Sequence, residues 1–408
     1  MKNYSLEINP ILAACADAKK AAAATVSAHR DLALSLLAEA ISSGAKMLLA
    51  ANEQDVGYAR SQGASDYELD RIRLDYLAIG TVCGRIRTMA STPSPTDEVE
   101  NRVSEGGLAV RRVRVPLGLV LTIGGLDPRK TIESAAQCIK TGNVMLLVRS
   151  PWTRNTDIVF EELLKNALSC CALPADIFRG ADYTPASTDS FLSRSDVIDA
   201  LLLLASPEQN EQLRKQSGIP AIYTDTGVTH IYIDEGADAQ SAAQGVIDSF
   251  GQLQGPELSC VLVNWKASDE FLPALEGKAM AAGIEIVGDA RVRSTLHGIE
   301  EARDKTGRAN DGRLLVLTVN SLTEAVYHIT THGDGLCEGI YTRSADSARA
   351  FSTLVDAGSI AINAPFSRIN GYDTGMGGDV GNCSQKLRHR GPVGLSRLTT
   401  TKYIIKGK

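Results

Sequence analysis

The chain has no apolar run approaching the ~18 residues a membrane-crossing helix needs, and its start, MKNYSLEINP, sets no basic stretch ahead of an apolar one. No span and no export leader are therefore expected, and a cytoplasmic setting is. Its eight cysteines (Cys15, Cys83, Cys138, Cys170, Cys171, Cys260, Cys337 and Cys383) include no C-x-x-C pair, which argues against a disulfide framework or a zinc knuckle and for reduced, mostly buried thiols. Positive charge is not in excess: 42 Lys and Arg stand against 48 Asp and Glu. A nucleic-acid partner would need a concentrated basic face, so small-molecule ligands are expected instead. The P-loop, H-E-x-x-H, G-x-S-x-G and kinase patterns are missing, and no G-x-G-x-x-G opens a helix after the first apolar strand. The six histidines, His29, His230, His297, His328, His332 and His389, are read as surface or core residues, with no metal site expected. Internal repeats, low-complexity tracts and heptad arrays are also absent.

What is present is the alternation of an α/β protein. At 408 residues, 44% apolar, 22% charged and with 36 glycines, the chain exceeds the size at which one core stops growing, so two or more domains are expected. The first hundred residues read as helices. In LALSLLAEAISSGAKMLLAAN the residues Leu32, Leu36, Leu37, Ala40 and Ile41 form one stripe. STPSPTDEV then breaks the helix, and GLAVRRVRVPLG alternates polar and apolar side chains from Leu108 to Val115, as an exposed antiparallel ribbon does. Short apolar runs follow, GLVLTIGG, VMLLV and DALLLLA, separated by helical stretches, which predicts strands buried on both faces of a doubly wound parallel sheet. From about residue 230 the alternation resumes with HIYID, CVLVN, EIVGD, LLVLTV, GIYT and SIAIN, a second α/β unit, and TTTKYIIKG ends the chain as a strand.

Two segments admit two readings each. The glycine-rich loop Gly371–Gly381 is either a close-packed loop or a phosphate cradle. The run Arg388, His389, Arg390 is either a solvated face or an anion site beside a phosphorylated substrate.

QKLRHRGPVGLSRLTTTKYIIKG, Gln385 to Gly407, strongly resembles the C-terminal signature of the gamma-glutamyl phosphate reductases of the aldehyde dehydrogenase superfamily. AANEQD at Ala50, LDRIRLD at Leu69, RVPLGLV at Arg114, CIKTGN at Cys138, GVTHIYIDEGAD at Gly227 and VDAGSIAINA at Val355 agree in order and spacing, so the resemblance spans nearly the whole chain. It implies an aldehyde-dehydrogenase-like fold: a nicotinamide-cofactor domain at 1–101 and 116–229, a thiol-bearing catalytic domain at 230–385, and an oligomerising β-flap at 102–115 and 396–408. The cofactor sheet of that fold does not depend on G-x-G-x-x-G. The implied reaction is reduction of L-glutamyl 5-phosphate by NADPH to the semialdehyde with release of phosphate, in proline biosynthesis. A cysteine thiolate displaces phosphate and hydride reduces the thioester. No water-activating glutamate is needed, and DTGVTH contains none. A homodimer or tetramer is implied, with glutamate 5-kinase as a partner supplying the acyl phosphate.

Carried over residue by residue, the resemblance implies Cys260 as nucleophile, the turn Lys140, Gly142, Asn143 together with Arg149 at the cofactor, and Asn363, Arg368 and Lys386 at the substrate. Arg149 could take an NADPH 2'-phosphate, because a guanidinium binds phosphate bidentately; a plain surface arginine is the other reading. The loops depart from the family pattern. Counted from the helix AQSAAQGVIDSF the family cysteine falls near Glu257, and counted back from CVLVN near Gly255. Cys260 itself abuts the apolar strand, where a buried thiol would have a raised pKa. IGGLDPRK, VRSPW, LLASPEQ and APFSRING replace the family's site loops, and Leu336 and Cys337 its His-Ser. Two explanations follow: a reductase of this or another acyl donor, or a family fold kept as a binding or regulatory subunit.

Overall fold

The computed structural model describes residues 4–103, 107–223, 227–251, 256–306, 312–386 and 390–407. The chain forms two compact units, Met1–Thr224 with Gly375–Val380 and Gly394–Lys408, and Asp225–Thr374 with Gly381–Val393. The expected boundaries differ in three places: the division falls five residues earlier, the flap strands cluster with the first unit, and Gly375–Val380 returns to that unit as well. No single helix among the described residues is long and apolar enough to cross a membrane.

The first unit begins with five helices, Tyr4–Ala24, Ser27–Ser43, Ala45–Ser61, Asp66–Ile72 and Tyr76–Ser91. The helical reading holds, but the buried face of the second is not the expected stripe. It is Ala33, Leu34, Leu37, Ala38 and Ile41, while Leu32 is 49% exposed. Apolar residues surround this helix on all sides, so sequence periodicity does not single out one face. Leu37 and Ile41 belong to both faces, and packing selects the side that adds Ala33, Leu34 and Ala38 to them.

The strands β1 (Val99–Val103), β2 (Ala109–Pro116), β3 (Leu119–Ile123), β4 (Val144–Arg149), β5 (Phe178–Asp182), β6 (Ala200–Leu203) and β7 (Ala221–Tyr223) follow. β3 to β7 make a parallel sheet in the order β5-β4-β3-β6-β7. Every residue of β3 and β6 is buried, which is why both are continuous apolar runs. In the second unit β8 (His230–Ile233), β9 (Cys260–Asn264), β10 (Ile286–Gly288), β11 (Glu300–Glu301), β12 (Leu314–Val319), β13 (Cys337–Tyr341) and β14 (Ser359–Ile362) form a parallel sheet ordered β11-β10-β12-β9-β8-β13-β14. A small antiparallel pair, β15 (Asn382–Ser384) and β16 (Arg390–Pro392), adjoins it in sequence. The last strand, β17 (Thr399–Lys406), pairs with β2, whose other side takes β1, in an antiparallel three-stranded flap.

The turn from the helix Pro128–Thr141 into β4 ties segments of the first unit together. Gly142 caps that helix with φ 77°, a left-handed conformation that suits glycine. Asn143 Oδ1 accepts from Gly118 N at 2.8 Å, and its Nδ2 donates to Thr141 Oγ1 at 2.8 Å and to Leu398 O at 2.7 Å. One buried amide therefore joins the entry to β3, its own turn and the segment leading into β17. We expect Asn143→Ala to lower stability by about 2–4 kcal/mol, because three bonds are lost and buried partners are left unpaired. The check is a thermal midpoint below that of the wild type.

Candidate active site

In a parallel sheet, ligands bind outside the carboxyl ends of the strands, where the winding direction reverses. In the first unit that point lies between β3 and β6. The loop after β3 meets the loop after β6 so closely that a Cβ on Gly125 would lie 1.8 Å from Leu204 O. The helix Pro128–Thr141 starts beside this point, with Asp127 as its N-cap accepting from Arg129 N at 3.0 Å. Its first turns carry a buried ion network. Lys130 Nζ lies 3.1 Å from Asp379 Oδ2, and Arg85 Nη1 2.8 Å from Glu133 Oε1. Burial works against the charge on Lys130, but Asp379, Glu133 and Asp127 outweigh it and raise the pKa. Burial raises that of Glu133 against the opposing pull of Lys130 and Arg85.

Asp379 belongs to the glycine-rich loop, where a Cβ on Gly378 would lie 2.9 Å from Gln137 and one on Gly377 2.7 Å from Thr92. The loop is close-packed, and its carboxylate already occupies Lys130. These contacts favour the packed-loop reading over a phosphate cradle.

Arg149 ends β4 at the carboxyl edge, as expected of a cofactor residue, but it is only 10% exposed and bound to two carboxylates. Nη1 donates to Asp182 at 3.1 Å and Nη2 to Glu161, in space left by Gly180. Arg154 also donates to Asp182, at 2.7 Å, and this bond together with those from Arg149 lowers the Asp182 pKa. A 2'-phosphate would have to displace a carboxylate to reach this fork. The Lys140, Gly142, Asn143 turn requires a correction. It precedes β4 and so lies at the amino edge, where Lys140 is fully buried and donates to Asp31 Oδ1 at 2.5 Å and Ala90 O at 3.2 Å. These residues hold the fold and do not face the cofactor edge.

In the second unit, Cys260 is the first residue of β9 and has no exposed surface. Its backbone N donates to Thr229 O at 3.1 Å. Burial, then Glu338 and Asp289, push its thiol pKa well above the usual value. The expectation of Cys260 as nucleophile is therefore corrected: the position is a strand interior, where a thiolate is disfavoured. Cys337 and Cys383 are buried as well. The alternative family position near Gly255 lies outside the described residues, as do Asp225 and Thr226 of DTGVTH and Arg388 and His389 of the cationic run. Glu257 is described and exposed.

The proposed substrate residues sit in separate contacts. Asn363, with φ 52°, clamps the loop after β13 by accepting from Thr342 N and donating to Thr342 O, both at 2.9 Å. Arg368 pairs with Asp373 at 3.2 Å, while Lys386 pairs with Asp356, which also takes Arg390 at 2.5 Å.

A profile of the aldehyde dehydrogenase family matches residues 4–298. The gamma-glutamyl phosphate reductase of Thermobifida fusca is 32% identical over 385 residues, covering 93% of this chain and 92% of its own. The chain belongs to the aldehyde dehydrogenase family, among its gamma-glutamyl phosphate reductases. Within the same group the Serratia marcescens protein is 33% identical over 389 residues, covering 92% of this chain and 93% of its own. The solved gamma-glutamyl phosphate reductase of Thermotoga maritima superposes with a TM-score of 0.88 at 26% identity, over 98% of this chain and 99% of that one. An acetylating aldehyde dehydrogenase from Geobacillus thermoglucosidasius shares the fold, with a TM-score of 0.74 at 16% identity over 99% and 97% of the two chains. Family membership implies a nicotinamide cofactor.

Sequence reading missed a group in the second unit, the buried His230, Glu338 and Cys260 with the half-buried His328. Its one visible signal was His328 and His332, four residues apart on a single helix. The burial pattern predicts thiol reactivity. In the native chain Cys170 should react promptly with a disulfide reagent and half-buried Cys171 slowly, while the other six should react only after denaturation. Mass mapping of the labelled thiols is the check, and rapid labelling of Cys260 would restore it as a candidate nucleophile.

Proposed function

We propose that the chain reduces L-glutamyl 5-phosphate to glutamate 5-semialdehyde with release of phosphate, as a cytoplasmic step of proline biosynthesis. The observation that carries this reading is likeness along the full length to proteins named for that substrate, 31–33% identical over 92–100% of the chain. A nicotinamide dinucleotide, NADPH in our reading, supplies hydride to the acyl carbon. The chain's own part on the cofactor side is the edge after β3 and β6, where Gly124 and Gly125 follow β3, with Arg149 at the end of the neighbouring β4. A kinase must supply the acyl phosphate, and glutamate 5-kinase is the partner of that chemistry.

In the cysteine route a thiolate displaces phosphate, and hydride then reduces the thioester. Cys260 could serve only by leaving its strand position. Its burial bears on a second reading, in which the chain keeps the fold and its ligands but does not turn over. One experiment separates the two. The wild type, given the semialdehyde, NADP and phosphate, should form NADPH only when phosphate is present, and a fluorescence titration should show tighter binding of NADPH than of NADH. Dinucleotide binding without phosphate-dependent turnover would support the second reading. Absence of both would remove the reductase.

We also infer that the flap pairs with a second copy. β1 and β17 are its free edges, and Val103, Tyr403 and Ile405 are 77%, 60% and 63% exposed. An exposed edge strand such as β17, with Tyr403, Ile404 and Ile405 outward, gains by pairing. A Tyr403→Asp, Ile405→Asp variant should elute as a monomer where the wild type elutes as a dimer or tetramer. An unchanged elution volume would refute the flap as the interface.

A further inference from the structure

One level of the second sheet gathers metal-binding chemistry that sequence spacing does not show. His230 starts β8, Cys260 starts β9, and the two are paired in register; Glu338 on β13 is paired with His230 from the other side. In-register neighbours of parallel strands project from the same face, so thiol, imidazole and carboxylate stand in a row. His328, on the helix Leu322–His332, adds a second imidazole. Its ring stacks edge-on to that of His230 at 5.2 Å. The ligand atoms of His230, Cys260 and His328 all lie within 4.8 Å of one another.

Hydrogen bonding leaves this group incomplete. Glu338 Oε2 accepts from His230 N at 2.7 Å and lies 3.0 Å from His230 Nδ1. The Nε2 atoms of His230 and His328 are both buried without a hydrogen-bond partner, as is Glu338 Oε1. Buried polar atoms in this state are costly to leave unpartnered. The arrangement matches a carboxylate–histidine–metal triad, in which the carboxylate fixes the ring so that the other nitrogen faces the ion. Burial lowers the pKa of both His230 and His328 to about 4, which keeps them in the neutral, ligating form. The same burial disfavours a Cys260 thiolate and an ionised Glu338 in the absence of a cation. A divalent ion balances those two negative charges, and coordination deprotonates a thiol outright.

We propose that the second unit binds one zinc ion through the Cys260 sulfur and the Nε2 atoms of His230 and His328, with Glu338 orienting His230. One thiolate and two imidazoles are a zinc donor set, and tetrahedral bonds of about 2.0–2.3 Å put ligand atoms roughly 3.3–3.7 Å apart. Side-chain shifts of about 1 Å close the present separation to that range. His332, whose ring centroid lies 4.6 Å from that of His328, or a water molecule completes the fourth position. The ion would join β8, β9 and the covering helix, and it uses Cys260 in a way that needs no access to substrate.

The test uses the full-length chain stripped with a chelator and titrated with Co²⁺. One equivalent should produce thiolate-to-cobalt charge-transfer absorption with tetrahedral visible bands, and one equivalent of Zn²⁺ should abolish them. The band should disappear in Cys260→Ala and persist in a Cys170→Ser, Cys171→Ser variant. His328→Gln, on the half-buried helix, should weaken Co²⁺ binding at least tenfold, and Glu338→Gln by roughly 10–100-fold, as for other orienting partners of metal-bound histidine. Circular dichroism confirms that each variant is folded. Folded wild type without the band, a band that survives Cys260→Ala, or unchanged affinity in folded His328→Gln would each overturn the site.

Discussion

The pairing of β9 between β12 and β8 governs what the second unit can do chemically. It makes Cys260 the first rung of an interior ladder, opposite Leu315 on one side and His230 on the other. A thiol at that place is shielded from solvent, with an apolar cluster on one side and the His230 and His328 rings on the other. It therefore cannot resemble the low-pKa, partly exposed thiols on which acyl transfer depends. A strand start between two neighbours leaves little freedom to turn outward, because shifting it by one residue would send every side chain of β9 to the opposite face.

The cations considered for ligand binding are constrained in another way, since each is already committed to a carboxylate. Arg149 is shared by Glu161 and Asp182, Arg368 faces Asp373, and Lys386 and Arg390 share Asp356. These pairs differ in strength. Those around Asp356 are largely exposed and individually weak, whereas Arg149 is almost enclosed and its removal would leave the buried Glu161 with Lys165 as its remaining cation. A phosphate-bearing ligand would exchange partners readily at the first and with difficulty at the second.

The fold was largely legible because its strands are extreme. LVLTI, VMLLV and CVLVN are buried along their whole length, and only a two-sided parallel sheet makes such runs. β5, FRGAD, was not legible, because it is a partly exposed edge strand with mixed side chains. The site was legible only in part. Order and spacing carried the family, but the Lys140–Asn143 turn was placed at the cofactor although its position before β4 puts it at the opposite edge. The His230, Cys260 and His328 group escaped because its members are brought together by strand register and a covering helix, at separations no local motif encodes.

β17 follows every strand of the second unit in chain order, yet it belongs to the first unit's flap, and Leu398 just before it receives the Asn143 amide. Synthesis proceeds from the amino end, and domains generally fold as units while they emerge. The amino-terminal unit therefore lacks a strand until the whole of the second unit has been made, and that intervening unit, complete in itself but for Gly381–Val393, can assemble ahead of the one that precedes it.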